Sequence, residues 1–287
     1  MKKIYLIFSL IFLMLVGGCA EQNQVTENDK PKVYASFYAM YDFARMIGGD
    51  NIELECMVPS GVEPHDWEPS ASDIAKLEKA DIFIYSGNHM EHWTESVLPT
   101  LSNKDLKVIC MSDYVPSNDG NDPHIWLSPN NLISFMENLK NAFADTDSEN
   151  QQAYTENYQI YSKKAQELAN SFEDASQSFQ SHDIIVSHEA YGYMCDILGI
   201  TQTAIEGLAG ESDPTPAKMA EIIKTIKDKN IKYIFTEPGQ SSKAIDTIAA
   251  EANVEVLSLS PFEFDEQNRD YFTVMEENLA ALKTALD

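Results

Sequence analysis

The stretch SENQQAYTENYQIYSKKAQELANSFEDASQSFQS, residues 148–181, decides how this chain of 287 residues is organised. It contains no proline or glycine, and its apolar residues recur close to the helical period. A helix of about 33 residues would be about 50 Å long, several times the globular average. Ser148 and Gln151 predict a capping box at its start. The apolar seam is narrow and not heptad-regular, so a single helix joining two lobes is favoured over a coiled coil.

On both sides of this helix, short β-branched runs alternate with helical patterns. Such alternation indicates parallel βαβ units and therefore an α/β fold. We expect a first lobe over residues 32–147 and a second lobe over residues 182–287. The predicted strands are 32–37, 52–58, 81–85 and 106–111 in the first lobe, and 183–187, 201–205, 232–236 and 254–259 in the second.

Residues 1–18 have the form of a secretory signal peptide. Two lysines precede a mostly apolar run, residues 4–16, which is too short to span a bilayer comfortably. The run ends in LVGGC, residues 15–19, which resembles the lipobox of bacterial lipoproteins. We therefore expect an extracytoplasmic protein that begins at a diacylated Cys19, with residues 19–31 as a flexible tether. An ordinary signal peptide with an incidental cysteine is the alternative.

The chain is strongly acidic, with a formal net charge of −26. Such a surface repels phosphate backbones and anionic lipid headgroups. Nucleic acid is therefore not an expected partner, and attachment to a membrane would depend on the lipid.

Three cysteines remain besides Cys19, and they show no C-x-x-C spacing. Cys56, Cys110 and Cys195 all have apolar neighbours, so we expect buried, inert thiols. Because an extracytoplasmic compartment permits disulfides, a bridge between Cys56 and Cys110 is the alternative.

Three histidines and one glutamate follow predicted strands, at the sheet edge where open α/β proteins bind ligands. They are His65 in GVEPHDWEPS, His124 in DPHIWLSP, His188 after DIIVS, and Glu263 in LSPFEF. Two belong to each lobe, so a cleft between the lobes would bring all four together. Three imidazoles and one carboxylate are a natural tetrahedral set for zinc. Glu237, Asp265 or a water molecule are alternatives to Glu263 as the fourth ligand.

The other histidines are weaker candidates for metal binding. His89 and His92 lie in SGNHMEHW near a predicted strand end, and we interpret them as surface groups or as groups behind the ligands. His182 precedes a predicted strand and is therefore expected at the opposite edge of its sheet.

The segments GVEPHDWEPS, GNHMEHW, DPHIWLSP, VSHEAYGY, GLAGESDPTP, FTEPGQSS and LSLSPFE occur in this order after a lipobox. Together they resemble the solute-binding lipoproteins of zinc and manganese ABC importers, over residues 31–287. The resemblance implies two lobes of βα units bridged by one long helix, with the metal between the lobes. It also places the first three metal ligands of that family on His65, His124 and His188.

The resemblance favours zinc over manganese. Manganese-type members tend to have a glutamate at the position of His188 and an aspartate near Ser260. Zinc-type members with a leucine, a proline and a glutamate in the last turn use that glutamate, which matches Glu263. Nitrogen-rich ligation suits Zn²⁺, whereas Mn²⁺ prefers oxygen donors. The histidine-rich loop of many zinc binders is replaced here by VPSNDGND, residues 115–122.

The function implied is a lipid-anchored, monomeric zinc-binding protein that delivers Zn²⁺ to a membrane ABC permease without catalysing a reaction. A manganese binder of the same family is the nearest alternative. A zinc hydrolase is another, although neither a nucleophile elbow nor an H-E-x-x-H helix is present. A third is an adhesin whose metal is only structural.

Overall fold

The computed structural model describes residues 30–116, 122–207, 214–239, 242–265 and 268–287. The predicted signal peptide, Cys19 and nearly all of the tether lie outside the described residues. Within the described ranges, no helix combines the length and the apolar character needed to cross a membrane.

Each lobe contains a sheet of four parallel strands, which confirms the predicted α/β fold. The strand order is β2-β1-β3-β4 in the first sheet and β6-β5-β7-β8 in the second, so the two lobes share one topology. The strands are β1 (Lys32–Ala35), β2 (Glu53–Cys56), β3 (Ile82–Tyr85), β4 (Lys107–Cys110), β5 (Asp183–Val186), β6 (Thr201–Ala204), β7 (Tyr233–Thr236) and β8 (Glu255–Ser258).

The helices of the described residues connect and cover these sheets. Two begin at a proline preceded by a capping hydroxyl: Ser128 accepts from the Asn131 N–H, and Thr215 from the Lys218 N–H. The helices are α1 (Tyr38–Gly48), α2 (Ala71–Leu77), α3 (Thr94–Val97), α4 (Pro129–Thr146), α5 (Gln151–Ser176), α6 (Gly192–Leu198), α7 (Pro216–Lys229), α8 (Lys243–Ala252) and α9 (Tyr271–Leu286).

The long helix is shorter than the sequence predicts. Helix α5 has 26 residues, which corresponds to about 39 Å. At its start, Ser148–Asn150 form a separate 3₁₀ turn, and no side chain caps the first turn of α5, so the predicted capping box is wrong. The carboxylate of Asp147 holds this turn by accepting from the Tyr154 hydroxyl at 2.8 Å.

The end of α5 is set by tertiary contacts. The Gln180 and Ser181 N–H groups donate to the Leu286 carbonyl at 2.8 and 3.1 Å. These bonds hold the chain against the last residues of α9, where it can no longer continue the helix.

One hydrophobic core runs through both lobes. Val33 and Ile84 of the first sheet, Phe172 of α5, and Val186 and Phe235 of the second sheet belong to the same buried cluster. A smaller cluster of isoleucines packs between the second sheet and α7 and α8. The long helix is therefore not the sole connection between the lobes.

Buried hydrogen bonds also join the lobes. The Trp126 indole N–H donates to the Pro261 carbonyl at 2.8 Å. Asp42 of α1 accepts from the Tyr271 N–H at 2.9 Å, which satisfies a free donor at the start of α9.

The three described cysteines are free thiols, so the alternative of a Cys56–Cys110 bridge is not realised. Cys56 ends β2 and Cys110 ends β4, the two edge strands of the first sheet. Three strand spacings of about 4.8 Å separate them, twice the distance that a disulfide can span. Cys110 and Cys195 are buried as expected, whereas Cys56 is only half-buried.

Candidate metal centre

His65 lies in the loop between β2 and α2, at the carboxyl edge of the first sheet. The loop starts as an extension of β2, because the Val58 N–H donates to the Ser36 carbonyl at 2.9 Å. Farther along, Trp67 packs edge-on against Trp93 with 5.7 Å between the ring centroids. Burial lowers the pKa of His65 to about 4. The imidazole is therefore neutral at pH 7, the state in which histidine binds metal.

His124 is fully buried between β4 and α4. Its Nδ1 atom lies 2.8 Å from an oxygen of Asp122, which also accepts from the His124 backbone N–H at 2.9 Å. The carboxylate thus fixes the proton on Nδ1, because an ionised carboxylate only accepts. The Nε2 atom of His124 is left to face the other candidate ligands.

His188 follows β5 and is buried at the carboxyl edge of the second sheet. Its Nδ1 atom lies 3.0 Å from an oxygen of Glu237, which is itself only 4% exposed. Glu237 follows β7, the neighbour of β5. The sequence suggested Glu237 as an alternative fourth ligand, but its carboxylate lies behind His188 and is not one of the four converging donors.

Glu263 follows β8 and is 1% exposed. Phe262, just before it, has a φ of 57°, a left-handed conformation that turns the chain and carries Glu263 inward. Burial alone would raise the pKa of Glu263, but His124 and the two other nearby imidazoles outweigh burial and lower it. The carboxyl group is therefore ionised. Asp265, the other alternative ligand, is exposed.

The four predicted donors converge. The Nε2 atoms of His65 and His124 are 3.3 Å apart, and a Glu263 oxygen lies 3.4 Å from His124 Nε2 and 3.8 Å from His65 Nε2. One donor atom from each of His65, His124, His188 and Glu263 lies within 4.8 Å of all the others. Two ligands of a tetrahedral zinc ion, each about 2.0–2.1 Å from it, are about 3.3–3.4 Å apart. The spacing of the donors therefore suits such an ion.

The electrostatics of the group also favour a cation. Both oxygens of Glu263 are buried and have no hydrogen-bond partner among the described groups, and His124 Nε2 lies 3.4 Å from one of them. An ionised carboxylate buried in this way is costly unless a positive charge compensates it. A divalent cation among the four donors would provide that charge.

Glu63 adds a further carboxylate close to the four donors. It is half-buried, and one of its oxygens accepts from the His65 backbone N–H at 3.4 Å. Burial, and then the negative charge of Glu263, raise the pKa of Glu63 to about 8. No sequence pattern points to this group beyond its place in the His65 segment.

The remaining histidines stay outside the group of four. His89 and His92 are exposed, with 6.4 Å between their ring centroids, and His182 directly precedes β5 at the opposite edge of the second sheet. Glu91, between the first two, has a role that sequence reasoning missed. Its buried carboxylate accepts from the Ser36 hydroxyl at 2.6 Å and from two backbone N–H groups, which fixes this turn.

Comparison with known proteins gives matches along almost the whole chain. A family model described as zinc-uptake complex component A, periplasmic, matches residues 33–285. The high-affinity zinc uptake system protein ZnuA of Bacillus subtilis is 31% identical over 300 residues, covering 95% of this chain and 94% of that protein.

Two further matches come from Streptococcus pneumoniae. The zinc-binding lipoprotein AdcA is 29% identical over 310 residues, and all of this chain spans 62% of its length. The crystal structure of the Zn(II)-bound ZnuA-like domain of AdcA superposes with a TM-score of 0.80 at 31% identity, covering 90% of this chain and 99% of that domain.

Proposed function

This chain belongs to the family of zinc-uptake complex component A proteins, and from that premise we propose that it captures Zn²⁺ outside the cytoplasm and delivers it to a membrane ABC permease. The proposed ligands are His65, His124, His188 and Glu263. The observation that carries this proposal is the convergence of these four buried donors from both lobes.

Zinc is the proposed cargo because three of the four donors are imidazole nitrogens. Zinc is borderline-soft and accepts nitrogen ligands readily, whereas manganese favours carboxylates and water. Ser260 lies near the position where manganese-type relatives tend to carry an aspartate. Its hydroxyl accepts from the Phe262 N–H and so stabilises the turn. A manganese-binding protein remains the alternative within the family.

Binding without catalysis is the proposed mode of action. A catalytic zinc ion keeps one position open for water or substrate, but four protein donors fill a tetrahedral zinc ion. This argues against the zinc hydrolase. The adhesin alternative differs in that its metal would never leave, so transfer of metal to the cell interior separates the two.

Attachment through lipid on Cys19 is also proposed, on the basis of the LVGGC segment. Cys19→Ala should leave the protein soluble or retained with its signal segment. Partition of this variant into membranes with a cleaved, unlipidated N-terminus would contradict the anchor.

The metal itself is tested by purifying the protein without chelators and measuring its metal content. We expect one zinc ion per chain, with X-ray absorption giving four nitrogen or oxygen neighbours at about 2.0–2.2 Å and the multiple scattering that imidazole rings produce. Asp265→Asn is a matched control, because it removes an exposed carboxylate two residues from Glu263. Manganese as the main metal would select the alternative within the family, and no bound metal would refute the proposal.

Delivery needs a separate test in cells. Deletion of the gene should prevent growth in zinc-chelated medium, and added zinc should restore it. Normal growth together with lost adhesion would instead support the adhesin.

A further inference from the structure

A cavity of about 360 Å³ lies next to the candidate metal centre. Its lining comes from both lobes: Tyr38 and Tyr41 of α1, residues from the end of β2 to Ser60, and residues 263–265 after β8. Glu55, Ser60 and Asp265 in this lining are exposed, so the cavity is accessible from solvent.

The charges in the lining are all negative. Three acidic residues, Glu55, Glu263 and Asp265, contribute to the lining, and none of the described residues that line it is basic. Lys76 pairs with Glu55 at 2.9 Å from outside the cavity, but both side chains are about half exposed, so solvent screens this pair.

The walls of the cavity also suit a cation. Tyr38 and Tyr41 are stacked with 6.0 Å between their ring centroids, and Tyr38 contacts Phe262 edge-on at 5.3 Å. Aromatic faces attract ammonium and guanidinium groups, and they also pack against the apolar stems of lysine and arginine. The cavity therefore fits a basic side chain better than a free anion or a neutral polar group.

Glu263 links this cavity to the metal. It contributes to the lining and belongs to the group of four donors, and both of its buried oxygens lack a hydrogen-bond partner among the described groups. A positive charge held in the cavity would attract this buried carboxylate and would compete with a metal for the same negative charge.

We propose that a lysine or arginine side chain of the permease enters this cavity and pairs with Glu263, which loosens the metal and triggers its release. In this step an ion pair forms and the coordinate bond between the carboxylate and the metal breaks, with water taking the freed position. The inference rests on the proposed function, because it presupposes a zinc-loaded protein and a permease. The strongly acidic chain would also draw a basic partner surface toward it.

Cys56 provides a direct test, because this free, half-buried thiol lines the cavity. Treatment of zinc-loaded protein with aminoethyl methanethiosulfonate displaces methanesulfinate and leaves an ammonium group attached through a disulfide. Hydroxyethyl methanethiosulfonate gives a neutral adduct of nearly equal size. Burial raises the pKa of Cys56 to about 12, so labelling is slow and needs excess reagent, with the site verified by peptide mass mapping.

The readout is the rate of zinc transfer to a coloured chelator. We expect the ammonium adduct to release zinc about tenfold faster than the neutral adduct, because a positive charge in the cavity would attract the Glu263 carboxylate even at an effective dielectric constant of about 20. Treated Cys56→Ser should show no difference between the reagents. Equal rates for the two adducts, or faster release from the neutral one, would overturn the inference.

A second measurement avoids covalent change. Methylguanidinium chloride should speed zinc release more than sodium chloride at equal ionic strength, since simple screening is then the same. Asp265→Asn should weaken this difference, whereas Glu53→Gln, an exposed acid of β2 outside the lining, should preserve it. No difference between the salts would contradict the inference. Failure of the untreated protein to bind zinc would refute the proposed function instead.

Discussion

The two lobes have the same strand order but contribute chemically different halves of the candidate metal centre. The first lobe supplies His65 and His124, which are uncharged when they bind metal. The second lobe supplies His188 and Glu263. The negative charge among the four donors therefore comes entirely from the second lobe, and a metal would be held by charge on one side and by neutral nitrogen on the other.

In each half, a carboxylate among the described residues lies against the Nδ1 atom of one imidazole, that of His124 in the first lobe and of His188 in the second. Asp122 supports His124 from two residues away, while Glu237 supports His188 from 49 residues away along the chain. The same geometry thus comes from a local motif in one lobe and from neighbouring strands in the other. Equivalent sites on equivalent sheets therefore have quite different origins in sequence.

The largest expected loss of zinc affinity comes from removing a ligand, and it should differ between the charged donor of the second lobe and a neutral donor of the first. Glu263→Ala and His65→Ala should each weaken zinc binding by more than about a hundredfold, beyond the 10–100-fold typical of residues behind the ligands. Glu263→Ala should cost more, because it also removes the negative charge. Affinities come from competition with a chelator of known strength.

Equal losses of zinc affinity in these two variants would contradict the expectation that the charged donor contributes more than the neutral one. A loss below tenfold for Glu263→Ala would mean that Glu263 is not a ligand. A zinc-bound crystal structure decides directly, since a coordinating Glu263 oxygen should be about 2.0–2.2 Å from the metal.

A smaller effect is expected when a carboxylate replaces the histidine of the second lobe. His188→Glu should weaken zinc binding and reduce the preference for zinc over manganese, because an oxygen donor replaces a nitrogen donor. Titrations with both metals measure the ratio. Unchanged zinc affinity would show that His188 does not bind the metal.

The supporting carboxylates should matter less than the ligands themselves. Asp122→Asn and Glu237→Gln should each lower zinc affinity by about 10–100-fold, because they weaken the acceptor that orients an imidazole. Glu189→Gln, which removes an exposed carboxylate next to His188, is the matched control and should have little effect. If Glu189→Gln lowers zinc affinity as much as Glu237→Gln does, then Glu237 acts only through its negative charge.

The smallest expected effect concerns the stability of the zinc-free protein. Unfolded His65 takes up a proton below its ordinary pKa of 6.5, whereas burial lowers its pKa in the folded chain to about 4. The free energy of unfolding should therefore fall as the pH falls from 6.5 to 4, by a few kcal/mol at most, at about 1.4 kcal/mol per pKa unit.

Thermal unfolding of the zinc-free wild type and of His65→Gln between pH 6.5 and 4 measures how much His65 contributes to this pH dependence. Glu63 stabilises the fold as the pH falls, because its pKa is raised in the folded chain. Since both proteins contain Glu63, the difference between their unfolding curves removes its contribution. Identical pH dependence in both proteins would contradict a buried, neutral His65.

The sequence predicts the four donors because each one lies in the segment between a predicted strand and the next helix. The contact between Asp122 and His124 is also predictable from sequence, since the two residues lie close together in one short segment. The support of His188 is not, because it depends on β7 lying beside β5, which periodicity alone does not establish. From sequence alone, Glu237 is therefore only an alternative ligand.

The error at the end of the long helix and the rejected alternative of a Cys56–Cys110 bridge both involve distant segments of the chain. The local sequence pattern predicts that α5 continues to residue 181, but the helix ends at Ser176. Just beyond it, the chain is held by hydrogen bonds to Leu286, more than a hundred residues later. The bridge between Cys56 and Cys110 was conceivable only while the order of the strands was unknown. In both cases, contacts between segments that are distant in sequence decide the outcome, and the local pattern does not contain them.

The hydrophobic core that runs through both lobes has a consequence for the lifetime of the protein outside the cytoplasm. Because one core serves both halves, we expect cooperative unfolding of the whole chain instead of separate melting of each lobe. A ligand present at a hundred times its dissociation constant adds about 2.7 kcal/mol to the stability of the fold that binds it. Cargo would then protect the entire molecule from proteases, and a starved cell would lose its empty copies first.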